Sequence, residues 1–485
     1  MIRAAAFALL ALLAAAPAAH AQIPAAEYAA RRDSLAARMG PGVLLAFGAP
    51  DFVGYHFEMR QLPAFDYLTG FREADAVLVM VSGDDGHRGT LFTHTPSVRT
   101  QLYDGFREDP GALSARTGLA VRPLEELTAH VDSLARTGRP FFELRDFRSD
   151  DYAARDTLTR GGAFVAGLEQ RHPRLRVRDA HPWVSALRAR KSDAELALLR
   201  RAIEITDQAQ LEALRAIRPG GWEYEVEAAI EHGFRSRGAD GPAYSSIVGS
   251  GPNATILHYV ANDRRMEAGD LVVMDVGAAF DGYAADVTRT APVSGRFTPE
   301  QRAIYDIVLE AQKAAERLVR PGTPAAASLQ ASMDVRLAGL ARLGLIQSVD
   351  ATFDPPWPAD CRGQSPQCLQ GMLFMIHGIT HGIGLEVHDP TQFYAGERTY
   401  GERDVFTIEP GIYISTRVLD LLPDTPKNRA FVAAVRDAVA RFENVGIRIE
   451  DDYVVTADGF ERLSAGSPRE AEEVEAAMAR PSAGR

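Results

Sequence analysis

Hydrophobic positions in the first third of the chain form short continuous runs, and segments with helical spacing accompany them. Residues 42–47 and 76–81 are two such runs, and their length is typical of buried strands. Residues 28–39 have a helical pattern instead. This mixture with short connections predicts an α/β unit over about residues 25–181.

A second unit begins with a capped helix near Lys191. Ser192 and Glu195 form a capping box, and apolar residues follow at near-helical spacing. This helix is predicted to end at Pro219, because proline cannot continue a helix. A shorter helical stretch, residues 223–237, comes next.

The same pattern recurs further along the chain. Thr298 and Gln301 form another capping box, the helix runs into Pro321, and a shorter helical stretch again follows. Each helical pair precedes apolar, extended segments rich in acidic residues and histidine, at 245–293 and 373–455. The repetition favours two related halves of helices and strands over a chance recurrence of common helix signals.

An acidic pair lies in a predicted hairpin of the first half. Asp281-Gly282 between extended runs is a strong hairpin signal, and a two-residue loop would place Asp275 opposite Thr288. The carboxylates of Asp275 and Asp286 would then lie on one face, with backbones roughly 7–8 Å apart at most. Such a pair could bind one or two hard cations, whereas buried, bare carboxylates would be costly. The alternative is a pair of solvated hairpin aspartates, which suits Asp286 better than Asp275.

Three histidines are concentrated in the glycine-rich stretch 377–389. His377 and His381 have the spacing of a zinc-binding pair on a helix. The glycines argue against a helix, and no glutamate follows His377 as a zincin requires. With His388, these residues indicate a loop in which the backbone can approach a ligand closely.

Two glutamates complete the candidate chemistry. Glu409 ends the apolar run 405–408, and Glu450 lies in the alternating segment 446–452. In that segment Arg448 and Glu450 point to the same side, so that Arg448 could orient Glu450. The alternative is an exposed cross-strand ion pair of little energetic consequence.

Taken in order, these side chains resemble the ligand set of a known family. Asp275, Asp286, His381, Glu409 and Glu450 are similar to the five-ligand dinuclear site of the pita-bread metallopeptidases, the methionine aminopeptidase/prolidase/aminopeptidase P family. The surrounding sequence is most similar to aminopeptidase P at residues 246–251, 256–259, 285–290, 409–413 and 446–452, and in the N-terminal part at 65–71.

The resemblance implies an α/β N-terminal domain followed by an α+β pita-bread catalytic domain with internal pseudo-twofold symmetry. That symmetry would account for the duplicated helical pattern. The expected organisation is a signal peptide at 1–21, an aminopeptidase P-like N-terminal domain at 22–185, a pita-bread metallopeptidase catalytic domain at 186–470 and a C-terminal tail at 471–485.

The resemblance also implies how the ligands divide between two divalent cations. Asp275 would chelate one metal, Asp286 and Glu450 would bridge both, and His381 and Glu409 would complete the ligand set of the second metal. Such a carboxylate-rich set suits a hard ion, and we expect Mn²⁺. A water bridging the two cations would be acidic enough to act as hydroxide near neutral pH.

Further residues acquire catalytic roles from the same resemblance. His258, His377 and His388 match the family's substrate-side histidines, and His388 would stabilise the developing oxyanion together with a metal. Glu409 would carry a proton to the departing proline nitrogen. Arg448 is included as the residue that orients Glu450.

We therefore expect an exported, two-metal Xaa-Pro aminopeptidase that hydrolyses the bond between an N-terminal residue and a following proline. Its partners would be peptides with proline second, and it would be a homo-oligomer, a dimer or a tetramer. A prolidase restricted to Xaa-Pro dipeptides is the alternative within the same chemistry. A metal-free pita-bread protein, creatinase-like or peptide-binding, is a weaker alternative because such proteins lose ligands that are all present here.

Composition and charge exclude other classes of protein. The chain has 485 residues, of which 46% are hydrophobic and 24% charged, as in ordinary folded proteins. Its formal net charge is −12 and no basic patch is visible, which argues against a nucleic-acid partner. Its 2 cysteines exclude a disulfide framework and a four-thiolate zinc site.

The first 21 residues are typical of a signal peptide. Arg3 begins a short positive region, residues 4–16 are small and apolar, and residues 19–21 match an A-x-A cleavage site. A helix needs about 20 apolar residues to span a bilayer, and this run is shorter. We expect cleavage before Gln22 and a periplasmic or secreted protein without a membrane span; an uncleaved anchor is the alternative.

Two segments differ from the usual pattern of the family. Residues 350–370 form a proline-rich insertion with both cysteines, and the stretch between Glu409 and Glu450 is longer than expected, with a helical pattern at 428–441. Cys361 and Cys368 are the only cysteines of a chain expected to be exported, which predicts a disulfide. A metal or redox pair is the alternative, but the spacing is wider than Cys-X-X-Cys.

Overall fold

The structure is a computed structural model that describes residues 22–51, 59–144, 159–362, 365–390 and 399–479. The predicted signal peptide at 1–21 lies outside the described residues. Among the helices of the described ranges, none is both long enough and apolar enough to cross a bilayer.

The N-terminal unit is a six-stranded mixed sheet with helices packed against it. Its strands run in the order β4-β3-β2-β1-β5-β6, where β1 is antiparallel to β2 and parallel to β5. The strands are β1 (Gly42–Phe47), β2 (Val77–Gly83), β3 (Gly86–Thr93), β4 (Ala120–Pro123), β5 (Phe141–Leu144) and β6 (Val177–Asp179). The helices are α1 (Ala25–Met39), α2 (Pro63–Thr69), α3 (Val98–Asp104), α4 (Pro110–Thr117), α5 (Leu127–Ala135), α6 (Arg160–Arg171) and α7 (His181–Arg188).

The position of β1 explains its uninterrupted apolar sequence. Leu44 and Ala46 belong to the core on one face of the sheet, while Val43, Leu45 and Phe47 belong to the core on the other. A strand covered on both faces needs apolar residues at every position, because neither face meets water. The predicted α/β unit is confirmed.

The second unit contains two helix pairs, as the repeated pattern predicts. Its helices are α8 (Asp193–Ala216), α9 (Glu223–Ser236), α10 (Pro299–Glu316), α11 (Ala325–Arg342), α12 (Arg417–Asp420), α13 (Pro426–Arg441) and α14 (Ala471–Met478). Both predicted capping boxes form: Ser192 accepts from the backbone of Glu195, and Thr298 accepts from that of Gln301.

Short antiparallel sheets lie between these helices. Their strand orders are β11-β10-β7, β12-β9-β8, β13-β16-β17 and β14-β15. The strands are β7 (Gly241–Pro242), β8 (Ile247–Ser250), β9 (Leu271–Val276), β10 (Ala278–Phe280), β11 (Tyr283–Ala284), β12 (Val287–Pro292), β13 (Val405–Ile408), β14 (Gly411–Ile414), β15 (Val445–Arg448), β16 (Asp451–Val455) and β17 (Phe460–Arg462).

The described part of the C-terminal segment forms a helix. We expected a tail from residue 471, but α14 begins there, and its Val474 is fully buried in the core that includes α8. The apolar positions of α14 therefore pack onto the second unit.

The two unusual segments pack against each other. Phe353 of the 350–370 insertion lies against Phe431 of α13, with ring centroids 6.1 Å apart. The side chain of Asn428 accepts from the backbone nitrogen of Asp354 at 2.9 Å and donates to its carbonyl at 2.8 Å. The predicted disulfide between Cys361 and Cys368 is present, with Cα atoms 5.7 Å apart, so it closes a loop within this packed assembly.

Candidate metal centre

The β10–β11 hairpin and the neighbouring strands bring the two aspartates together with the predicted register. Asp281 and Gly282 have φ values of 49° and 80°, as the turn requires. Asp275 on β9 pairs with Thr288 on β12, and Asp286 immediately precedes β12. Both aspartates are buried, so the alternative of solvated hairpin residues is wrong for both.

The histidine loop lies alongside β13 and is not a helix. Thr407 donates its backbone N–H to the carbonyl of His381 at 2.9 Å, and Glu409 donates its backbone N–H to that of Ile379 at 2.9 Å. These two bonds place His381 next to Glu409, just beyond the end of the strand. The Nε2 atom of His381 is 3.5 Å from a carboxylate oxygen of Glu409.

Glu450 joins the cluster from the connection between β15 and β16. Ligand atoms of Asp286, His381 and Glu450 lie within 4.8 Å of one another, and all three residues are buried. Nε2 of His381 is 3.4 Å from the carboxylate of Asp286 and 3.6 Å from that of Glu450. Glu409 is the fourth predicted ligand at this place, so four of the five surround one small volume.

The protonation of His381 suits a metal ligand. Its Nδ1 atom lies 2.9 Å from the carbonyl oxygen of Gly382, and a carbonyl can only accept, so Nδ1 carries the hydrogen. Nε2 faces the carboxylates, so it carries a proton in the metal-free cluster and would offer its lone pair to a cation that displaces that proton. Metal-binding histidines are commonly oriented by such a backbone bond.

The electrostatics of the cluster also favour a cation. Burial and the nearby Glu450 raise the pKa of Asp286 and that of Glu409 well above their usual values. Burial opposes a charge on His381, but Asp286, Glu450 and Glu409 raise its pKa well above its usual value. The cluster thus binds protons tightly, and a divalent cation could displace them and balance the same negative charge. Among the described residues, Glu450 Oε1 is a buried oxygen without a hydrogen-bond partner, which leaves a coordination position available.

Tyr244 connects the remaining aspartate to the cluster. Its hydroxyl oxygen lies 2.6 Å from the carboxylate of Asp275 and 2.5 Å from that of Asp286. No pattern in the sequence singles out this tyrosine. It precedes the segment 246–251, but it lies 31 and 42 residues from its partners, and no local pattern connects them.

The prediction that Arg448 is a direct partner of Glu450 is wrong. Its guanidinium contacts the carboxylate of Asp275 and does not bond directly to Glu450. Thr288 lies between them: its hydroxyl accepts from Nε of Arg448 at 3.2 Å and donates to Glu450 at 2.6 Å. Arg448 is 3% exposed, which also rules out the alternative of a surface ion pair. Strand alternation gives the side to which a residue points but not the partner that packing brings there.

His377 is held in one neutral tautomer by a chain of hydrogen bonds. Nδ1 lies 2.6 Å from the carbonyl oxygen of Gly378 and therefore carries the hydrogen. Arg448 donates to the hydroxyl of Tyr413 at 2.8 Å, and that hydroxyl, 2.9 Å from Nε2, donates to the ring. Burial and the nearby Arg448 lower the pKa of His377 to about 3, which keeps the ring neutral.

The cluster opens into a cavity of about 1250 Å³. His258 and His388 line this cavity as exposed side chains, and the ring of His388 lies 4.3 Å from that of His381 between centroids. The N-terminal unit contributes Arg60 and Arg72 to the lining. The sequence-predicted site residues thus all lie on one cavity, formed by both units of the chain.

Comparisons with known proteins agree with this architecture. The family model of metallopeptidase family M24 matches residues 197–457, and that of the aminopeptidase P N-terminal domain matches residues 28–140. The Xaa-Pro aminopeptidase of Escherichia coli (strain K12) is 34% identical over 470 residues, covering 94% of this chain and 98% of that protein.

Two further similarities differ in extent. A human Xaa-Pro dipeptidase is 34% identical over 320 residues, covering 62% of each protein. The solved structure of proline aminopeptidase P II from Yersinia pestis has a TM-score of 0.78 and 32% identity, covering 94% of this chain and 100% of that one. The similarity thus includes both units of the fold, and the pita-bread architecture expected for the second unit is confirmed. The chain belongs to metallopeptidase family M24, as a metallo-aminopeptidase that carries the aminopeptidase P N-terminal domain.

Proposed function

We propose that this protein is an exported Xaa-Pro aminopeptidase with two divalent metal ions, which releases an N-terminal residue that precedes proline. The observation that carries the proposal is the convergence of Asp286, His381, Glu409 and Glu450 on one buried volume at the base of a large cavity. The extent of similarity to Xaa-Pro aminopeptidases, over both units, supports the same substrate class.

The side chains present fit two cations better than one. His381, Glu409, Asp286 and Glu450 would hold one ion, and Asp275 would extend the set to a second ion that shares Asp286 and Glu450. Carboxylates predominate, which suits a hard ion such as Mn²⁺. When bound, the two ions would activate a water for attack on the scissile carbonyl and would polarise that carbonyl.

The protein's own residues would position and neutralise the reacting groups. His388 faces the cavity beside His381 and would donate a hydrogen bond to the oxygen that becomes negative during attack. Glu409 would accept a proton from the attacking water and pass it to the leaving proline nitrogen, since its carboxylate lines the cavity. His377, neutral and fixed by Tyr413, would form the wall of the cavity beside the proline of the substrate. His258 would lie at the entrance of the cavity.

The size of the cavity favours an aminopeptidase over a dipeptidase. Its volume of about 1250 Å³ exceeds the roughly 300–1,000 Å³ of ordinary small-molecule pockets. A peptide that continues beyond proline would therefore find room within it. The full-length similarity is also to aminopeptidases, whereas the dipeptidase covers 62% of this chain.

Turnover of matched peptides by the metal-reconstituted protein tests the proposal. We expect release of the N-terminal residue from Xaa-Pro-Xaa tripeptides, no cleavage of the same peptides with alanine in place of proline, and two bound metals per chain. Cleavage of Xaa-Pro dipeptides alone would identify a dipeptidase instead. A purified protein that neither binds metal nor cleaves any of these peptides would overturn the assignment.

Export and assembly are part of the proposal. The expected signal peptide supports export, and the mature N-terminus at Gln22 can be checked by mass spectrometry of protein from the periplasm or the medium. On α3 and just after it, Val98, Leu102 and Phe106 are 77%, 80% and 91% exposed. Such apolar exposure supports a homo-oligomer, a dimer or a tetramer, and light scattering of the purified protein would measure its mass.

A further inference from the structure

The loop that carries His388 is closed at its base. Gly382 and Asp389 form an antiparallel bridge, and the backbone N–H of Asp389 donates to the carbonyl of Gly382 at 3.0 Å. The loop begins directly after His381 and ends directly after His388. Its base therefore determines how the ring of His388 is presented to the cavity.

Asp389 fixes this base with its side chain as well as its backbone. One carboxylate oxygen accepts the backbone N–H of Glu386, three residues earlier, at 3.2 Å. There is no room for a side chain at Gly384, since a Cβ there would lie 2.6 Å from Cγ of Asp389. The carboxylate of Asp389 thus fills the interior of the loop, while the neighbouring His388 is exposed to the cavity.

Two cations from outside the loop bind this carboxylate. Nζ of Lys191 lies 2.8 Å from one oxygen of Asp389, and the guanidinium of Arg188 contacts the other. The same guanidinium lies 2.6 Å from the carboxylate of Glu386. Each of these four side chains is less than a tenth exposed, so the cluster is a buried, charge-balanced set.

Arg188 belongs to the end of the N-terminal unit, and Lys191 lies between it and the first helix of the second unit. Arg188 is the last residue of α7, whose Val184 and Trp183 pack with the core of the N-terminal sheet. Lys191 also donates to the carbonyl of Arg188 at 2.7 Å, which ties it to the end of the same helix. The 382–389 loop is therefore held by the end of a helix that packs in the N-terminal unit.

Stability alone is a poor explanation for this cluster. Removing four charges from water is costly in free energy, and apolar residues of similar size often give equal or greater stability. What a buried ion cluster provides is a single geometry, because any other arrangement leaves a charge unpaired. A fixed geometry matters most where a side chain has to meet a reacting atom.

We propose that Arg188 and Lys191 are positioning residues for His388: they hold Asp389, and through it the loop, so that the His388 ring stays at the substrate-side wall of the cavity. The inference rests on the proposed function for the role of His388 in catalysis. We call the ion cluster of Arg188, Lys191, Glu386 and Asp389 the clamp, and its contacts are independent of that role.

Hydrogen exchange of the metal-free protein tests the clamp without any activity measurement. In Arg188→Met, the backbone amides of Glu386 and Asp389 should exchange at least about tenfold faster than in the wild type, because Glu386 and one oxygen of Asp389 lose their cation and the base of the loop opens more often. Arg188→Lys keeps a cation and should restore most of the protection. Unchanged exchange of these amides in Arg188→Met would overturn the clamp.

A matched control separates the clamp from general loosening between the units. Arg31 of α1 is 6% exposed on its side chain and lies 3.4 Å from the buried Glu195 of α8, so it also joins the two units. Arg31→Met removes a guanidinium of the same kind without touching the 382–389 loop. It should leave the exchange of Glu386 and Asp389 unchanged, and equal acceleration in both variants would mean that Arg188 has only a general structural role.

Kinetics of the metal-loaded enzyme test the link to His388. Arg188→Met should lower kcat on the order of 10²-fold, the usual effect of about 1 Å of misplacement, while KM and metal content change little. In a His388→Ala background the same substitution should lower kcat no further. Additive losses would show that Arg188 does not act through His388. If the wild type binds metal but cleaves no Xaa-Pro peptide, the proposed function fails, and the hydrogen-exchange comparison still decides on the clamp.

Discussion

The guanidinium of Arg448 contacts the carboxylate of Asp275, and their side chains are 4% and 12% exposed. The two residues are 173 positions apart in the chain. Their pairing balances one of the site's carboxylates before any cation binds, and it begins the hydrogen-bond chain through Tyr413 to His377. Arg448 therefore connects the carboxylate cluster to His377 at the wall of the cavity.

Arg448→Met should destabilise the metal-free protein more than the metal-loaded protein. Without its arginine, Asp275 is left as a buried, unpaired carboxylate, which typically costs about 3–5 kcal/mol. A bound cation would supply the missing positive charge. Thermal unfolding with and without metal measures the difference, and an equal fall of Tm under both conditions would contradict the pairing argument.

Asp286→Asn should nearly abolish turnover while the protein stays folded. In the proposed two-metal site a neutral amide would be a poor bridge between the cations, so the attacking water would lose part of its activation. Asp437→Asn is the matched control, because Asp437 is an exposed aspartate of α13 that lies outside the ligand set and the lining of the cavity. Wild-type turnover of Asp286→Asn under saturating metal would disprove its role as a ligand.

His381→Ala and His388→Ala should fail in different ways. His381 lies among the carboxylates, so its loss should lower the metal content. His388 faces the cavity, and its loss should lower kcat by roughly 10²–10³ with metal content unchanged. Metal analysis beside steady-state kinetics distinguishes the two, and the opposite pattern would mean that the roles are exchanged.

The disulfide should affect longer substrates more than global stability. Replacing both cysteines by serine opens a short loop, which should cost on the order of 2–3 kcal/mol at most. The loop leads into His377, so KM should rise for peptides that extend well beyond proline and stay unchanged for a tripeptide. Mass spectrometry of the non-reduced, digested protein should find Cys361 linked to Cys368; two free thiols in exported material would contradict it.

Asp207 should make the stability of the folded protein fall as pH rises. Burial raises its pKa from 3.8 to about 7, and it is 4% exposed. Between about pH 4 and 7 the folded chain therefore binds a proton that the unfolded chain has lost, and stability decreases across that window.

Asp207→Asn should remove this contribution, so that the difference in unfolding free energy between wild type and variant changes by on the order of 1 kcal/mol per pH unit. Urea unfolding of the metal-free protein from pH 5 to 8 measures it. Asp437→Asn, at an exposed position on α13, is the control. Parallel stability curves for wild type and Asp207→Asn would show that Asp207 is not protonated in the folded state.

Features that depend on neighbouring residues could be predicted from the sequence. The capping boxes at Ser192 and Thr298 and the turn at Asp281-Gly282 form as expected. Each is set by side chains and backbone groups within a few residues, so the local sequence contains all the participants. The turn also fixed the pairing of Asp275 with Thr288, because register follows from loop length.

The partners of charged side chains could not be predicted in this way. Arg448 was expected to orient Glu450, but Asp275 and Thr288 occupy the space beside its guanidinium. Tyr244 and the Arg188–Asp389 contact gave no local signal either, since each joins residues from distant segments.

The sequence by itself thus determined the helices, the hairpin and the order of the acidic and histidine residues. Tertiary packing decided which of those residues meet, and that the N-terminal unit holds the loop of His388. The physical reason is that local hydrogen bonds select an element, whereas the environment of a buried charge depends on every element packed around it. A charged residue such as Asp389 takes whichever cation the assembled fold places within reach.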